Sequence, residues 1–220
     1  PFNTAQAAFV LRNAFLNFPE GSIHLILVNT EPSPANPVLA VKSRGHFFIG
    51  TDNGIFSLIL GEELEKAVKI NENGEIEASS FTALGVFTSA AAALADGKKI
   101  DELGEKVDAF QKRVPLRPTI EDKAITGSVI YIDSYQNAIT NISKDLFERI
   151  SQGRKFELFV QSKHYKITRL SNKYNDVQAG DMLALFNSTG LLEIAINNGN
   201  AARLLSLDSK STIRIEFLEK

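Results

Sequence analysis

The chain has 220 residues, 44% of them hydrophobic and 23% charged, with a formal net charge of -2 at pH 7. That is the composition of an ordinary globular chain with material for one large or two modest domains, and its mixed charge lacks the broad basic field that nucleic-acid binding needs. The absence of cysteine excludes disulfides, thiolate nucleophiles and thiolate metal sites. No apolar run reaches the length of a membrane span and no leader pattern opens the chain, so a cytoplasmic protein without membrane partners is expected.

The first predicted element is a helix. Asn3 stands as N-cap with Gln6 three positions on, an amide form of the capping box, and Ala7, Ala8, Leu11, Ala14 and Phe15 make one apolar stripe that Pro19-Glu20-Gly21 ends. A fully patterned helix at the very start raises the expectation of a further segment upstream of Pro1. Residues 23–28 form a nearly continuous apolar run, predicting a strand covered on both faces of a helix-flanked sheet. Pro32, Pro34 and Pro37 stiffen the loop that follows and forbid regular pairing. Residues 38–42 and 46–50 read as a hairpin around Ser43-Arg44-Gly45, and Asp52-Asn53-Gly54 as a tight turn whose left-handed residue is Gly54. Residues 56–60 read as strand or short helix, and the charged stretch 61–80 offers only a turn at Asn73-Gly74. A small-residue helix from about 88 to 95 is expected to pack closely on a sheet, followed by a short polar helix over 98–113. Pro115-Leu116-Arg117-Pro118 reads as an extended linker. The expected architecture is an N-terminal α/β domain, a helix-flanked sheet over 1–114, followed by a mainly β barrel domain over 119–220. In that second half β-like runs recur at 128–132, 156–161, 164–170, 182–187, 191–196 and 212–217, with a helix over 144–150 that Asn141 or Ser143 could cap.

Two polar stretches stand out in the barrel half. Residues 132–142 hold one carboxylate, three amides, two aliphatic hydroxyls and a phenol between a β-like run and a helix. Asp133 can accept from an ammonium or hydroxyl, Asn137 can donate to and accept from a purine edge, and Tyr135 can stack on a flat ring. Those are the needs of a nucleoside carrying an amino-acid tail. The same residue types also fill hairpin turns for purely local reasons. The second stretch, 186–202, turns at Gly190 and again at Asn198-Gly199-Asn200, where backbone N–H groups can meet a carboxylate or a ring nitrogen and Ser188 can add a hydroxyl.

Four segments, taken in order, resemble the S-adenosyl-L-methionine hydroxide adenosyltransferases, hydrolytic relatives of the fluorinase and chlorinase enzymes. They are Ala7-Ala8-Phe9-Val10-Leu11 with Phe18-Pro19-Glu20-Gly21, the turn Gly50-Thr51-Asp52-Asn53-Gly54, the run 129–142 and the run 186–202. The resemblance implies an α/β domain before a β-barrel domain, and a homotrimer that binds S-adenosylmethionine between subunits as substrate, with no cofactor and no metal. It also implies roles for single residues. Asp133 falls at the methionine amino group, Tyr135 against the adenine, Asn137 and the Asn200-Ala201 backbone at the adenine edge, and Ser188 at the methionine carboxylate. The turn with Asp52 and Asn53 falls near the site.

The family reaction is a displacement in which water or hydroxide attacks the ribose carbon beside the sulfonium and methionine leaves as a neutral thioether. Its hydrolytic members are thought to position and activate that water with an Asp, an Arg and a His. Here Asn29 takes the Asp position, no arginine occurs between Thr30 and Val38, and Thr82 stands where the His is expected. An amide and a hydroxyl hold water but take no proton near neutral pH. Glu31 is the one carboxylate near the lost set that could act as a substitute base, while His24, His46 and His164 read as packing or surface residues. The resemblance therefore leaves two main readings, a hydrolase of S-adenosylmethionine and a non-catalytic trimer that binds it or adenosine; a halide as nucleophile is a third.

Overall fold

The computed structural model describes residues 2–71 and 81–219. It divides into two compact units, Pro1–Pro115 and Leu116–Lys220.

The first unit opens with α1 (Thr4–Ala14), whose N-cap Asn3 accepts from the Gln6 amide as the sequence predicts. A single 3-10 turn, Phe15–Asn17, follows. The sheet is built from β1 (Ile23–Ile26), β2 (Val38–Ser43), β3 (His46–Thr51), β4 (Lys66–Ile70) and β5 (Gly104–Val107), in the order β1-β3-β2-β4-β5. Only β1 and β3 run parallel. The hairpin of β2 and β3 closes through Arg44 (φ 49°) and Gly45 (φ 74°), the pair of positive φ values that a two-residue turn requires.

Helices cover both faces of this sheet. On one, α1, the 3-10 turn after it and α2 (Ile55–Leu60) bury Ala8, Phe15, Ile55, Phe56 and Ile59 against Leu39, Val41 and Phe48. On the other, α3 (Thr82–Ala95) lays Ala83, Phe87, Ala90 and Leu94 on Val38, Ala40, Ile49 and Val68. The alternation along β2 explains this split, since successive residues of a strand face opposite ways.

Several sequence expectations change here. The strand predicted over 23–28 is shorter and stands at one end of the sheet; Ile26 joins the α1 core and Ile23 packs against the α3 core, so both faces are partly covered, with Leu25 left 37% exposed. Residues 56–60 are helix, and α3 starts at Thr82, six residues before the expected start at 88. The polar helix expected over 98–113 is instead a short turn and β5. Ile100 and Leu103 plug the α3 face, and pairing with β4 settles Gly104–Val107 as strand despite its charged composition. Asn73-Gly74 lies outside the described residues.

The second unit holds β6 (Thr119–Glu121), β7 (Ala124–Ile132), β8 (Ala138–Ser143), α4 (Lys144–Ser151), β9 (Phe156–Val160), β10 (Ser162–Ile167), β11 (Met182–Phe186), β12 (Leu191–Ile196), α5 (Ala201–Leu204) and β13 (Thr212–Phe217). Its eight-stranded sheet runs β10-β9-β13-β7-β8-β12-β11, with β6 paired to β7, and its two ends approach each other in a nearly closed barrel. The interior is filled by Ile125, Val129, Ile142, Leu158, Leu192, Ile194, Ile213 and Ile215, residues of alternate strand positions. Ser143, one of the two caps considered, caps α4 by accepting from the Leu146 amide at 3.2 Å. The sequence reading missed β6 and β8. Strand β7 is the seam: its first half pairs with β13 and its second half with β8, with a register shift between Val129 and Tyr131. Asn141 serves that irregularity by accepting the Ser128 amide at 2.8 Å.

Candidate functional site

The reversal between β7 and β8 carries the first polar stretch. Asp133 and Asn137 close it through backbone bonds from the Asp133 amide to the Asn137 carbonyl (3.1 Å) and from the Gln136 amide to the Asp133 carbonyl (3.0 Å). Gln136 takes the left-handed conformation, φ 67°, that so tight a reversal demands. The Asp133 carboxylate is held at both oxygens: Oδ1 accepts the Asn137 backbone amide at 2.8 Å, and Oδ2 accepts Asn137 Nδ2 at 3.2 Å. A carboxylate has about four lone-pair sites, so two remain for a ligand. Asn137 is 7% exposed, whereas Tyr135 on the same loop is 77% exposed and presents its ring outward.

The second stretch meets the first. Ala202, 5% exposed in α5, donates its backbone N–H to the Gln136 carbonyl at 2.8 Å. Asn200 is the N-cap residue of α5, without a side-chain cap bond, and Ala201 is fully buried. Two loops more than sixty residues apart in sequence are thereby locked together, bringing Asp133 and Asn137 into one neighbourhood with Asn200 and Ala201.

Ser188 sits on the exposed turn between β11 and β12, which its neighbour organises. Asn187 Oδ1 accepts from the Thr189 amide (3.0 Å), the Thr189 hydroxyl (2.7 Å) and the Leu191 amide (3.3 Å). Asn187 Nδ2 donates to Glu193 Oε2 at 3.1 Å, and the other oxygen of Glu193 accepts the Tyr174 hydroxyl at 2.8 Å. Glu193 is 3% exposed in the middle of β12. Burial of its hydroxyl end, the hydrogen bond to Glu193 and then the charges of Glu193 and Asp133 push the Tyr174 phenol up to about 12. The sequence reading gave neither Tyr174 nor Glu193 a role. The available signal was a lone carboxylate inside the apolar run of residues 191–196.

In the first unit Asn29, Asp52 and Asn53 come together. Asn29, left-handed at φ 51°, donates through Nδ2 to the Phe2 carbonyl (3.0 Å) and to Thr4 Oγ1 (3.1 Å). Its own carbonyl accepts Asn53 Nδ2 at 3.1 Å, and that amide also reaches the Val28 carbonyl at 3.0 Å. Asn53 Oδ1 is buried and has no hydrogen-bond partner. Asp52, 5% exposed, accepts the Gln111 amide at both oxygens, 3.1 and 2.9 Å. Burial raises its carboxyl above the ordinary 3.8, against the lowering effect of bonds from the Gln111 and Gly54 amides. Thr82 is the first residue of α3, and its side-chain geometry lies outside the described atoms. Glu31 is exposed in the proline-rich loop. A cleft of about 540 Å³ runs between that loop and the β4–β5 end of the sheet, lined by Pro32, Pro34, Lys69, Asn71 and Glu105 among others, and contains none of the expected site residues. His46 is 4% exposed and packs edge-on against Phe15, with His24 Nε2 at 3.3 Å from its Nδ1, as expected for packing histidines. His164 is exposed.

The two units match, in order, the two domains of one enzyme family. Residues 1–104 match the SAM hydroxide adenosyltransferase N-terminal domain and residues 127–214 its C-terminal domain; the chain belongs to the SAM hydroxide adenosyltransferase family. Among similar proteins, the (R)-S-adenosyl-L-methionine hydrolase of Methanocaldococcus jannaschii is 28% identical over 99% of this chain and 80% of its own length. The protein of the same name from Thermus thermophilus is 29% identical over 98% of this chain and 84% of its own. A crystal structure of a conserved protein from Thermotoga maritima superposes with a TM-score of 0.85 at 25% identity, covering 98% of this chain and 84% of that one. Among the described residues, no helix is long and apolar enough to cross a membrane.

Proposed function

We propose that the chain hydrolyses S-adenosylmethionine to adenosine and methionine. Water attacks the ribose carbon beside the sulfonium, the carbon–sulfur bond breaks, and sulfur keeps the electron pair to leave as a neutral thioether, so no general acid is needed. The site's work is to align the nucleophile and to let its proton go. The single observation that carries the reading is the Ala202–Gln136 hydrogen bond, which unites the two barrel loops that family likeness assigns to the ligand. The names of the curated relatives support the same reaction.

In this reading Asp133 takes the ligand's ammonium, Tyr135 lies against adenine, Asn137 and the Asn200-Ala201 backbone meet its edge, and Ser188 meets the carboxylate. Asp52 and Asn53 shape the wall that carries Asn29, and Asn29 with Thr82 holds the attacking water. Neither of these two takes its proton at neutral pH, so the proton passes to Glu31 or to solvent and turnover is slow. We further propose a helix-flanked α/β domain over 1–114, a barrel domain over 119–220, and a cytoplasmic homotrimer with ligand sites between subunits and no cofactor or metal.

The test is incubation with S-adenosylmethionine in ¹⁸O-labelled water. Adenosine carrying the label at the 5′ oxygen supports the proposal. Binding without turnover would favour the non-catalytic trimer, and a halogenated nucleoside formed in added chloride would favour a halide nucleophile.

A further inference from the structure

Glu193 has no part in the proposed reaction, yet it is an almost wholly buried carboxylate on an apolar strand. Such a group is tolerated only when its oxygens are hydrogen-bonded, and each of the two has one neutral donor, Tyr174 at 2.8 Å and Asn187 at 3.1 Å. Among the described residues no lysine or arginine pairs with Glu193 or with Asp133.

Donor chemistry gives this arrangement two consequences. A phenol has one hydrogen, and with that hydrogen committed to Glu193 the Tyr174 oxygen is left as an acceptor. Burial, the hydrogen bond to Glu193 and the charges of Glu193 and Asp133 all hold that hydrogen on the phenol. An amide has a donor end and an acceptor end. With Nδ2 on Glu193, Asn187 must turn Oδ1 toward the loop that bears Ser188, where it accepts three hydrogen bonds.

We propose that Glu193 is the positioning residue that makes the C-terminal unit prefer a nucleoside with an amino-acid tail over the bare nucleoside. Through Tyr174 it leaves a phenol oxygen as a further acceptor for the ammonium, and through Asn187 it fixes the turn on which Ser188 meets the carboxylate. It makes no hydrogen bond to Asn137, Asn200 or Ala201, the residues assigned to the adenine. The inference rests on the proposed function, because it takes S-adenosylmethionine as the ligand.

The test is calorimetric titration of the wild-type chain, E193Q and Y174F with S-adenosylmethionine and with adenosine. Glutamine keeps the size of the side chain but removes the charge and one acceptor. Loss of one hydrogen bond to a charged group predicts about tenfold weaker binding of S-adenosylmethionine by E193Q, with adenosine within about twofold of wild type. Y174F, which leaves Glu193 and Asn187 joined, is expected to show the same selectivity and decides the matter if E193Q does not fold. The alkaline absorbance titration offers a readout without ligand: the phenol near 12 in the wild type, absent in Y174F, moves back toward 10 in E193Q. Equal losses for both ligands, or none for S-adenosylmethionine, overturn this inference alone. A wild-type chain that binds neither ligand overturns the proposed function and the inference with it.

Discussion

The Ala202 amide donates to the Gln136 carbonyl at 2.8 Å, and this one bond fastens the start of α5 to the reversal between β7 and β8. Because Gln136 sits between Asp133 and Asn137, the position of those two side chains depends on a helix that begins more than sixty residues later. The bond is made by main chain, so no side-chain substitution removes it directly. A proline at position 202 does, by deleting the donor. A202P is expected to abolish binding of S-adenosylmethionine by calorimetry while far-ultraviolet circular dichroism still reports a β-rich fold.

Asn137→Ala tests the carboxylate's support. It removes the Nδ2 bond to Asp133 while the backbone bond at 2.8 Å survives. The variant should lose about 1–2 kcal/mol of stability in urea titration, the cost of leaving a partly buried acceptor short of one donor. Unchanged stability would mean that Asp133 is satisfied by water instead.

Asn29→Asp trades stability for chemistry. The Nδ2 bonds to Phe2 and Thr4 disappear, and a carboxylate oxygen comes to face the Phe2 carbonyl. The melting temperature should fall, yet a base now stands where the family's hydrolytic members carry one. Adenosine release should rise by roughly 10²-fold, the usual contribution of a positioned base. A fall in rate together with the fall in stability would count against the assignment of Asn29 to the water.

Asp52 gives a pH signature. Its folded-state pKa lies above the unfolded value near 3.8, because burial disfavours the charged form. The group's contribution to stability is therefore full below about 3.8 and is lost as pH rises through the raised value. D52N, which keeps an acceptor for the Gln111 amide, should gain on the wild type over that window and run parallel to it above. Urea midpoints at half-unit intervals from pH 3.5 to 7 measure this, and a constant gap across the range would refute it.

His24 works in the opposite sense. Burial, and then the charge of His46, hold it below the ordinary 6.5, so the folded chain resists a proton that the unfolded chain accepts. Stability attributable to His24 is present above about pH 6.5 and drains away as pH falls through the lowered value. H24L should flatten the decline in denaturant midpoint between pH 7 and 5. An equal decline in wild type and variant would assign acid sensitivity elsewhere.

The sequence showed most clearly what local chemistry controls. The Asn3 cap, the Arg44-Gly45 reversal, the Gly54 turn and the alternating runs of β9, β11, β12 and β13 were all legible, because each rests on propensity or period within a few residues. The failures lie where tertiary pairing overrules composition. β5 is charged and β8 lies inside the polar stretch, yet both are strands because a neighbour supplies the ladder. At the site, the residue types and the two loops could be read, and their meeting was an expectation drawn from family likeness. The Tyr174–Glu193–Asn187 chain could not be read, since it joins the β11–β12 hairpin to a 3-10 turn nineteen residues before Glu193 and has no recognisable spacing.

Strand β7 has a further consequence. It belongs to both halves of the barrel, pairing with β13 over 124–128 and with β8 from Val129 on, and it ends at Ile132, next to Asp133. A ligand gripped at that end pulls on the staves of both halves at once. The amides of β13, remote from any ligand atom, should therefore exchange their hydrogens more slowly when the site is filled, and the barrel wall becomes the gauge of its own occupancy.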